Sequence, residues 1–156
     1  MSQATATILL IEDISTVQFF VRNALSSLPR PYTLLIAGSI AQARERMEGT
    51  TVDLFIVDIG LPDGDGIDFL CEAAILQPQA SAIIVTATPS EEHRARAQQL
   101  GVVQLLSKPI QRAALCGAVC KMLGWSADPA AAPETSNFRA TLSGLTPLDI
   151  VQLKCM

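Results

Sequence analysis

Five short runs of aliphatic residues constrain the fold of this chain more than any other feature of its sequence. They lie near residues 7–11, 32–37, 53–58, 82–86 and 102–106. Each run is strand-length and apolar nearly throughout, which is typical of strands buried on both faces of a parallel sheet. Apolar residues recur at helical spacing between the runs. The pattern predicts five β–α units that form an open, doubly wound parallel sheet with helices on both sides.

The composition is that of a packed domain. Apolar residues make up 49% of the chain and charged residues 17%, enough to build a core. The net charge of −4 and the dispersed Lys and Arg residues argue against direct binding of nucleic acid. The N-terminus lacks the basic residues of a secretion signal, and no run reaches the roughly 20 apolar residues of a membrane span. We therefore expect a cytoplasmic protein with no membrane partner.

The cysteines and the single histidine do not predict a metal site. Cys116 and Cys120 share a helical face, but there is no Cys-x-x-Cys pair and His93 is the only histidine. A zinc site is therefore not expected. We interpret the cysteines as small apolar side chains in a reducing compartment. His93 lies in a charged helical stretch and is predicted to be solvated.

Polar residues stand at the C-terminal ends of four predicted strands. They are Glu12 and Asp13, Asp58, Thr86, and Lys108. Because the carboxyl ends of parallel strands meet at one edge of a sheet, we expect these side chains to form one site. Clustered carboxylates repel one another, and Mg²⁺, which prefers oxygen ligands, relieves that repulsion. An ammonium and a hydroxyl beside them suit a phosphoryl group.

Four motifs occur in the order that one known family shows. They are Ile11-Glu12-Asp13, the stretch Val57-Asp58-Ile59-Gly60-Leu61-Pro62-Asp63-Gly64-Asp65-Gly66, Val85-Thr86-Ala87 and Ser107-Lys108-Pro109. On these motifs the chain resembles the receiver domain of two-component response regulators, over about residues 5–124. The resemblance implies a flavodoxin-like sheet with strand order 2-1-3-4-5 and a receiver domain at 1–124. It also implies a phosphoprotein that acts as a signalling switch rather than as an enzyme on other substrates.

The resemblance assigns a role to each acidic residue. Asp58 is expected to accept a phosphoryl group from a phosphohistidine on a sensor histidine kinase or a phosphotransfer protein. Mg²⁺ is expected to be held by Glu12, Asp13, Asp58 and the backbone carbonyl of Gly60, directly or through water.

The remaining motif residues are expected to serve the phosphoryl group and the output. Lys108 binds the phosphoryl oxygens, and its bond to Pro109 is expected to be cis. Thr86 turns toward the phosphoryl group, and the small Ala87 leaves the approach open. This reorganisation is expected to bias a face built from the fourth helix, fifth strand and fifth helix, through which two copies can also pair.

Two positions depart from the family pattern. Leu105 stands where family members usually carry Tyr or Phe, so we expect intact phosphoacceptor chemistry with an altered relay of the signal. Gly60 stands where members often have a side chain that influences the hydrolytic water, and Thr88 is the facing candidate.

Two alternatives to a phosphorylated switch remain. One is a degenerate receiver that binds proteins independently of phosphorylation. The other is a haloacid-dehalogenase-type phosphatase, which needs a second Asp two positions after its nucleophile, where Gly60 stands. Asp53 and Asp68 are interpreted as ordinary surface or element-end residues, and the stretch 60–66 as a turn that leads into the third helix.

The C-terminal part of the chain changes character. Residues 125–137 have the Ala, Pro and polar composition of a linker. Apolar residues return over 138–156, a segment that resembles the opening of a PATAN-type effector module. Leu145-Thr146-Pro147 also resembles the opening of a LuxR-type helix-turn-helix, without the charged residues expected next. We predict a truncated or partner-bound effector segment.

Overall fold

The computed structural model describes residues 5–101 and 104–125. The strands in these ranges are β1 (Ala6–Ile11), β2 (Tyr32–Ala37), β3 (Leu54–Asp58), β4 (Gly60–Leu61), β5 (Gly64–Asp65), β6 (Ser81–Thr86) and β7 (Gln104–Ser107). The helices are α1 (Ser15–Leu25), α2 (Ile40–Met47), α3 (Gly66–Leu76), α4 (Glu91–Leu100) and α5 (Arg112–Leu123). None of these helices combines the length and the apolarity that crossing a bilayer demands.

Five of the strands form one parallel sheet with the order β2-β1-β3-β6-β7. Counted within this sheet, the order is the predicted 2-1-3-4-5. The central strand β3 pairs with β1 on one side and with β6 on the other. Since all five strands run in the same direction, their carboxyl ends share one edge, and polar residues that follow them converge there.

Both faces of the sheet are buried, as the continuous aliphatic runs predict. In β1, Leu9 and Ile11 pack on the side of α2, α3 and α4, whereas Ile8 and Leu10 pack on the side of α1 and α5. On the first side, the rings of Phe55 in β3 and Phe69 in α3 meet edge to face at 6.0 Å. The sheet is therefore doubly wound, with a separate apolar layer on each face.

A small antiparallel hairpin follows β3 where the sequence predicted only a turn. In it, Gly60 of β4 pairs with Asp65 of β5, and Leu61 pairs with Gly64. The pairing fits a two-residue tip at 62–63 followed by Gly64, whose φ of 156° suits a glycine. The two β-residues on each side are too few to produce a strand pattern in the sequence.

The boundaries of the first four sheet strands agree with the predicted runs to within one residue. The last strand begins at Gln104, and residues 102–103 of the predicted run lie outside the described residues. His93, predicted to be solvated, is half-buried, and its Nδ1 is enclosed with no hydrogen-bond partner among the described residues. Helix α5 ends at a C-cap formed by Gly124, whose φ of 71° is left-handed. The predicted linker beyond Trp125 and the effector segment at 138–156 lie outside the described residues.

Candidate functional site

Three carboxylates meet at the carboxyl edge of the sheet. Glu12 and Asp13 follow β1 directly, and Asp58 is the last residue of β3. Oxygen atoms of the three side chains all lie within 4.8 Å of one another. Glu12 and Asp58 are buried and Asp13 is exposed. The cluster predicted from the sequence therefore exists, with two carboxylates inside the protein and one at its surface.

Lys108 links the ends of three strands. Its Nζ lies 3.0 Å from Oε2 of Glu12 and 3.2 Å from Oδ2 of Asp58. The backbone N–H of Lys108 donates to the carbonyl of Thr86 at 2.9 Å, which holds the end of β7 against the end of β6. The peptide bond between Lys108 and Pro109 is cis, as predicted. The lysine is thus fixed at both its backbone and its ammonium.

Burial and charge shift the pKa values of this pair. Burial raises the pKa of Glu12, and the repulsion of Asp58 adds to the rise, while hydrogen bonds from Lys108 and from the amide of Ile14 oppose it. Burial alone lowers the pKa of Lys108, but its bonds to Glu12 and Asp58 outweigh that effect, so the net shift is upward. Lys108 therefore remains an ammonium at neutral pH, and protonation of Glu12 begins at a higher pH than in a free glutamate.

The donor set fits Mg²⁺. All the nearby side-chain ligands are carboxylate oxygens, which a hard cation prefers. Three carboxylates face one ammonium, which leaves an excess of negative charge where two of the carboxylates are buried. A divalent cation would neutralise that excess. Glu12, Asp13 and Asp58 are the residues that could hold it.

The other predicted site residues, Gly60, Thr86 and Ala87, lie at or just after the carboxyl ends of β3 and β6. The backbone N–H of Gly60 donates to Oδ1 of Asp58 at 3.3 Å. Thr86 is buried, and its hydroxyl oxygen accepts the N–H of Thr88 at 3.1 Å. Ala87 is exposed immediately after β6. In this structure the Thr86 hydroxyl is therefore engaged by its own loop.

The first turn of α3 packs directly against the strand that carries Asp58. The N–H of Gly66 donates to the carbonyl of Ile59 at 2.8 Å. A Cβ at position 66 would overlap the backbone oxygen of Asp58 and the side chain of Val57. Only glycine allows this approach.

Four charged residues around the hairpin β4–β5 were not predicted as part of the site. The carboxylate of Asp63 accepts the N–H groups of Ile40 and Ala41, at 2.9 and 3.0 Å, at the start of α2. Arg96 of α4 is buried and pairs with Asp65 and Asp68. Arg96 lies one turn before the buried Leu100, and this spacing is the signal that could have revealed its burial.

We predict that Mg²⁺ affinity falls as the pH is lowered, because a proton competes for Glu12. The pKa of Glu12 is raised above its ordinary value of 4.5, so the loss begins at a pH higher than 4.5. Below the raised pKa, the affinity should fall by about tenfold for each pH unit. Calorimetric titration between pH 8 and pH 5 measures this dependence.

The stability of the metal-free fold depends on pH in the opposite direction to the Mg²⁺ affinity. The pKa of Glu12 is higher in the folded protein than in the unfolded chain, so protonated Glu12 stabilises the metal-free fold. This stabilisation is full at pH values below the pKa of the unfolded state. It is lost as the pH rises through the pKa of the folded state. Glu12→Gln should weaken the pH dependence of both the Mg²⁺ affinity and the free energy of unfolding. A Mg²⁺ affinity that rises on acidification would contradict this assignment.

Comparison with known proteins gives a consistent result. The response regulator receiver domain family matches residues 8–120. The transcriptional regulatory protein DpiA of Escherichia coli (strain K12) is 32% identical over 107 residues, which cover 69% of this chain and 47% of that protein. The solved signal receiver domain of an HD domain-containing protein from Pseudomonas fluorescens Pf-5 has a TM-score of 0.72 and 29% identity, covering 78% of this chain and 97% of that chain.

The fold has a further solved counterpart. A CheY-like receiver domain protein from Methanospirillum hungatei JF-1 aligns with a TM-score of 0.71 and 24% identity, over 78% of this chain and 96% of that chain. This chain spans about half the length of DpiA. The carboxylate cluster, the lysine and all four sequence motifs fall within the matched residues. The chain belongs to the response regulator receiver domain family, the receiver module of two-component signal transduction.

Proposed function

We propose that Asp58 accepts a phosphoryl group from a phosphohistidine on a sensor histidine kinase or a phosphotransfer protein, in a Mg²⁺-dependent reaction. The observation that carries this proposal is the position of the Lys108 ammonium between Glu12 and Asp58, at 3.0 and 3.2 Å. This arrangement supports the proposal, because the ammonium would bind phosphoryl oxygens, the Asp58 carboxylate would act as the nucleophile and the neighbouring carboxylate oxygens would hold a metal. Phosphoryl transfer needs mainly such positioning and charge neutralisation.

The transfer is a substitution at phosphorus. A carboxylate oxygen of Asp58 forms the new P–O bond while the P–N bond of the phosphohistidine breaks, and the electron pair of that bond stays on the imidazole nitrogen. Hydrolysis later returns the carboxylate when water attacks phosphorus and the same P–O bond breaks. Lys108 stabilises the charge on the phosphoryl oxygens in both steps.

Glu12, Asp13 and Asp58, together with the Gly60 carbonyl, would hold the Mg²⁺. When bound, the metal would neutralise negative charge on the phosphoryl oxygens. The protein supplies the geometry, because Glu12 is fixed by the hydrogen bond from the Ile14 amide to its Oε1 at 3.1 Å.

The output is proposed to run from Thr86 to the face formed by α4, β7 and α5, where a second copy can also pair. The Thr86 hydroxyl accepts the N–H of Thr88, so a turn of the threonine side chain toward a phosphoryl group would release that bond and change the start of the loop before α4. Leu105 is partly buried on the α4 side of the sheet. Its side chain has no polar atom that could form a hydrogen bond in response to the movement of Thr86. The signal in this chain is therefore proposed to pass through the loop rather than through residue 105.

The proposed organisation of the chain has three parts. The receiver domain occupies 1–124, a linker follows at 125–137, and an effector segment begins at 138. The composition and the apolar pattern of those residues support this division.

Incubation of the protein with acetyl phosphate tests the function. We expect one phosphoryl adduct by intact mass in the presence of Mg²⁺ and none when the metal is chelated. No adduct under either condition would favour the phosphorylation-independent interaction module. Rapid turnover of simple phosphate esters would favour the phosphatase.

We also predict that Gly60→Asn changes the lifetime of the phosphorylated form. A Cβ at position 60 would meet nothing within 4 Å, so a side chain can be introduced there without a clash at its Cβ. We expect a change in the hydrolysis rate of about three- to tenfold, from the added hydrogen-bonding group. Loss of the adduct is followed by intact mass after removal of the phosphodonor, and an unchanged rate would reject this role.

A further inference from the structure

Arg96 of α4 is a buried guanidinium that forms ion pairs with carboxylates at the start of α3. Only 10% of its side chain is exposed, and its partners are Asp68 Oδ1, which its NH2 nitrogen contacts, and Asp65 Oδ2, 3.6 Å from its NH1 nitrogen. Its Nε is also buried and has no hydrogen-bond partner among the residues that the structure describes. The carboxylates of Asp65 in β5 and of Asp68 in α3 therefore account for its observed polar contacts.

Asp65 connects this guanidinium to the phosphoacceptor loop. Its Oδ1 accepts the N–H groups of Ile67 and Asp68, at 2.7 and 3.2 Å, and caps α3. Its backbone pairs with Gly60 in the hairpin β4–β5. A single residue thus separates Arg96 from Gly60, whose carbonyl is a proposed Mg²⁺ ligand.

The burial of Arg96 is costly and points to a positional role. The free-energy cost of removing a guanidinium from water is offset only by well-placed partners. A buried ion pair therefore adds little net stability over an apolar residue. The unpartnered Nε shows that this guanidinium is not fully satisfied. What the pair does achieve is a fixed distance between α4 and the hairpin, since both carboxylates belong to the segment that follows Asp58.

We propose that Arg96 is a positioning residue for the metal site. By holding Asp65 and Asp68, it fixes the hairpin so that the carbonyl of Gly60 keeps the orientation in which it can bind Mg²⁺. The inference rests on the proposed function, because it assumes that the carboxylate cluster binds this metal. It extends the site to α4, a helix that contributes no metal ligand.

The test compares Mg²⁺ binding of three variants with that of the unaltered protein. Arg96→Met removes the cation and keeps an apolar chain of similar length, and Arg96→Lys retains the charge. The matched control is Arg46→Met, which removes a guanidinium of α2 whose Nε donates to the carbonyl of Ile36 in β2 at 3.2 Å. We expect Arg96→Met to weaken the Mg²⁺ affinity by about tenfold, as the loss of a residue that orients a metal ligand does.

Arg96→Lys should recover most of that affinity, and Arg46→Met should leave it unchanged. Melting temperature is recorded in parallel without metal. A purely structural role would lower the melting temperature of Arg96→Met and leave the Mg²⁺ affinity of the folded protein unaltered, and that result would overturn the proposal. If Arg96→Met does not fold, Asp68→Asn replaces it and should weaken Mg²⁺ binding in the same direction.

The two proposals fail separately. If the unaltered protein binds Mg²⁺ but takes no phosphoryl group from acetyl phosphate, the proposed function is wrong, and Arg96 is still judged by the metal titration. If the unaltered protein is phosphorylated and the Arg96 variants bind Mg²⁺ as it does, the positioning role is wrong.

Discussion

Asp58→Asn should abolish uptake of the phosphoryl group from acetyl phosphate. The amide has nearly the same shape as the carboxylate, and its oxygen can still accept the N–H of Gly60, so the fold should be kept. What is lost is the nucleophile, because an amide oxygen does not attack phosphorus at a useful rate. Removal of one of three clustered carboxylates should also weaken Mg²⁺ binding. Intact mass after incubation with Mg²⁺ is the measurement.

The matched control for this variant is Asp53→Asn. Asp53 directly precedes β3, at the end of the strand opposite to Asp58, and its Oδ2 accepts the N–H of Thr7 at 2.7 Å. We expect this control to be phosphorylated as the unaltered protein is. An adduct of the same mass in Asp58→Asn would show that another residue is the acceptor.

Lys108→Met should change phosphorylation and metal binding in opposite directions. Loss of the ammonium should slow uptake of the phosphoryl group by about 100-fold or more, since one charge-stabilising donor is removed. The same loss should strengthen Mg²⁺ binding by about tenfold, because the ammonium competes with the metal for Glu12 and Asp58. A change of both quantities in the same direction would contradict the role given to this lysine.

The same variant should be less stable without metal. Glu12 and Asp58 then face each other with no cation, and we expect a loss of about 3 kcal/mol in the free energy of unfolding. Saturating Mg²⁺ should recover most of it. Urea unfolding with and without Mg²⁺ measures the difference. Lys121→Met, which alters a lysine of α5 outside the carboxylate cluster, serves as the control and should change neither the uptake nor the Mg²⁺ affinity.

The sheet and the carboxylate cluster were predictable because they depend on simple periodic signals. A run such as Ile8–Ile11 is apolar at every position, which occurs when both faces of a strand are covered. Parallel direction then brings Glu12, Asp58 and Lys108 to one edge, whatever their distance along the chain. The sequence therefore predicted the convergence without any contact being known.

The surroundings of the cluster were not predictable in the same way. A charged residue on a helix is usually solvent-exposed, so Arg96 and Asp68 were not recognised as partners. Their pairing depends on how α3 and α4 pack, which no local pattern encodes. The hydroxyl of Thr86 is a similar case, because its orientation follows from a rotamer and from the bond to Thr88 rather than from spacing.

Gly60, the first residue of the hairpin, and Gly66, which follows the hairpin, should differ sharply in a mutational screen. Gly66 has the backbone oxygen of Asp58 where a Cβ would stand, whereas Gly60 has open space there. Random substitution should therefore yield folded, active variants at position 60 and almost none at position 66. The lifetime of the proposed phosphorylated form could therefore vary through residue 60, whereas residue 66 must remain glycine.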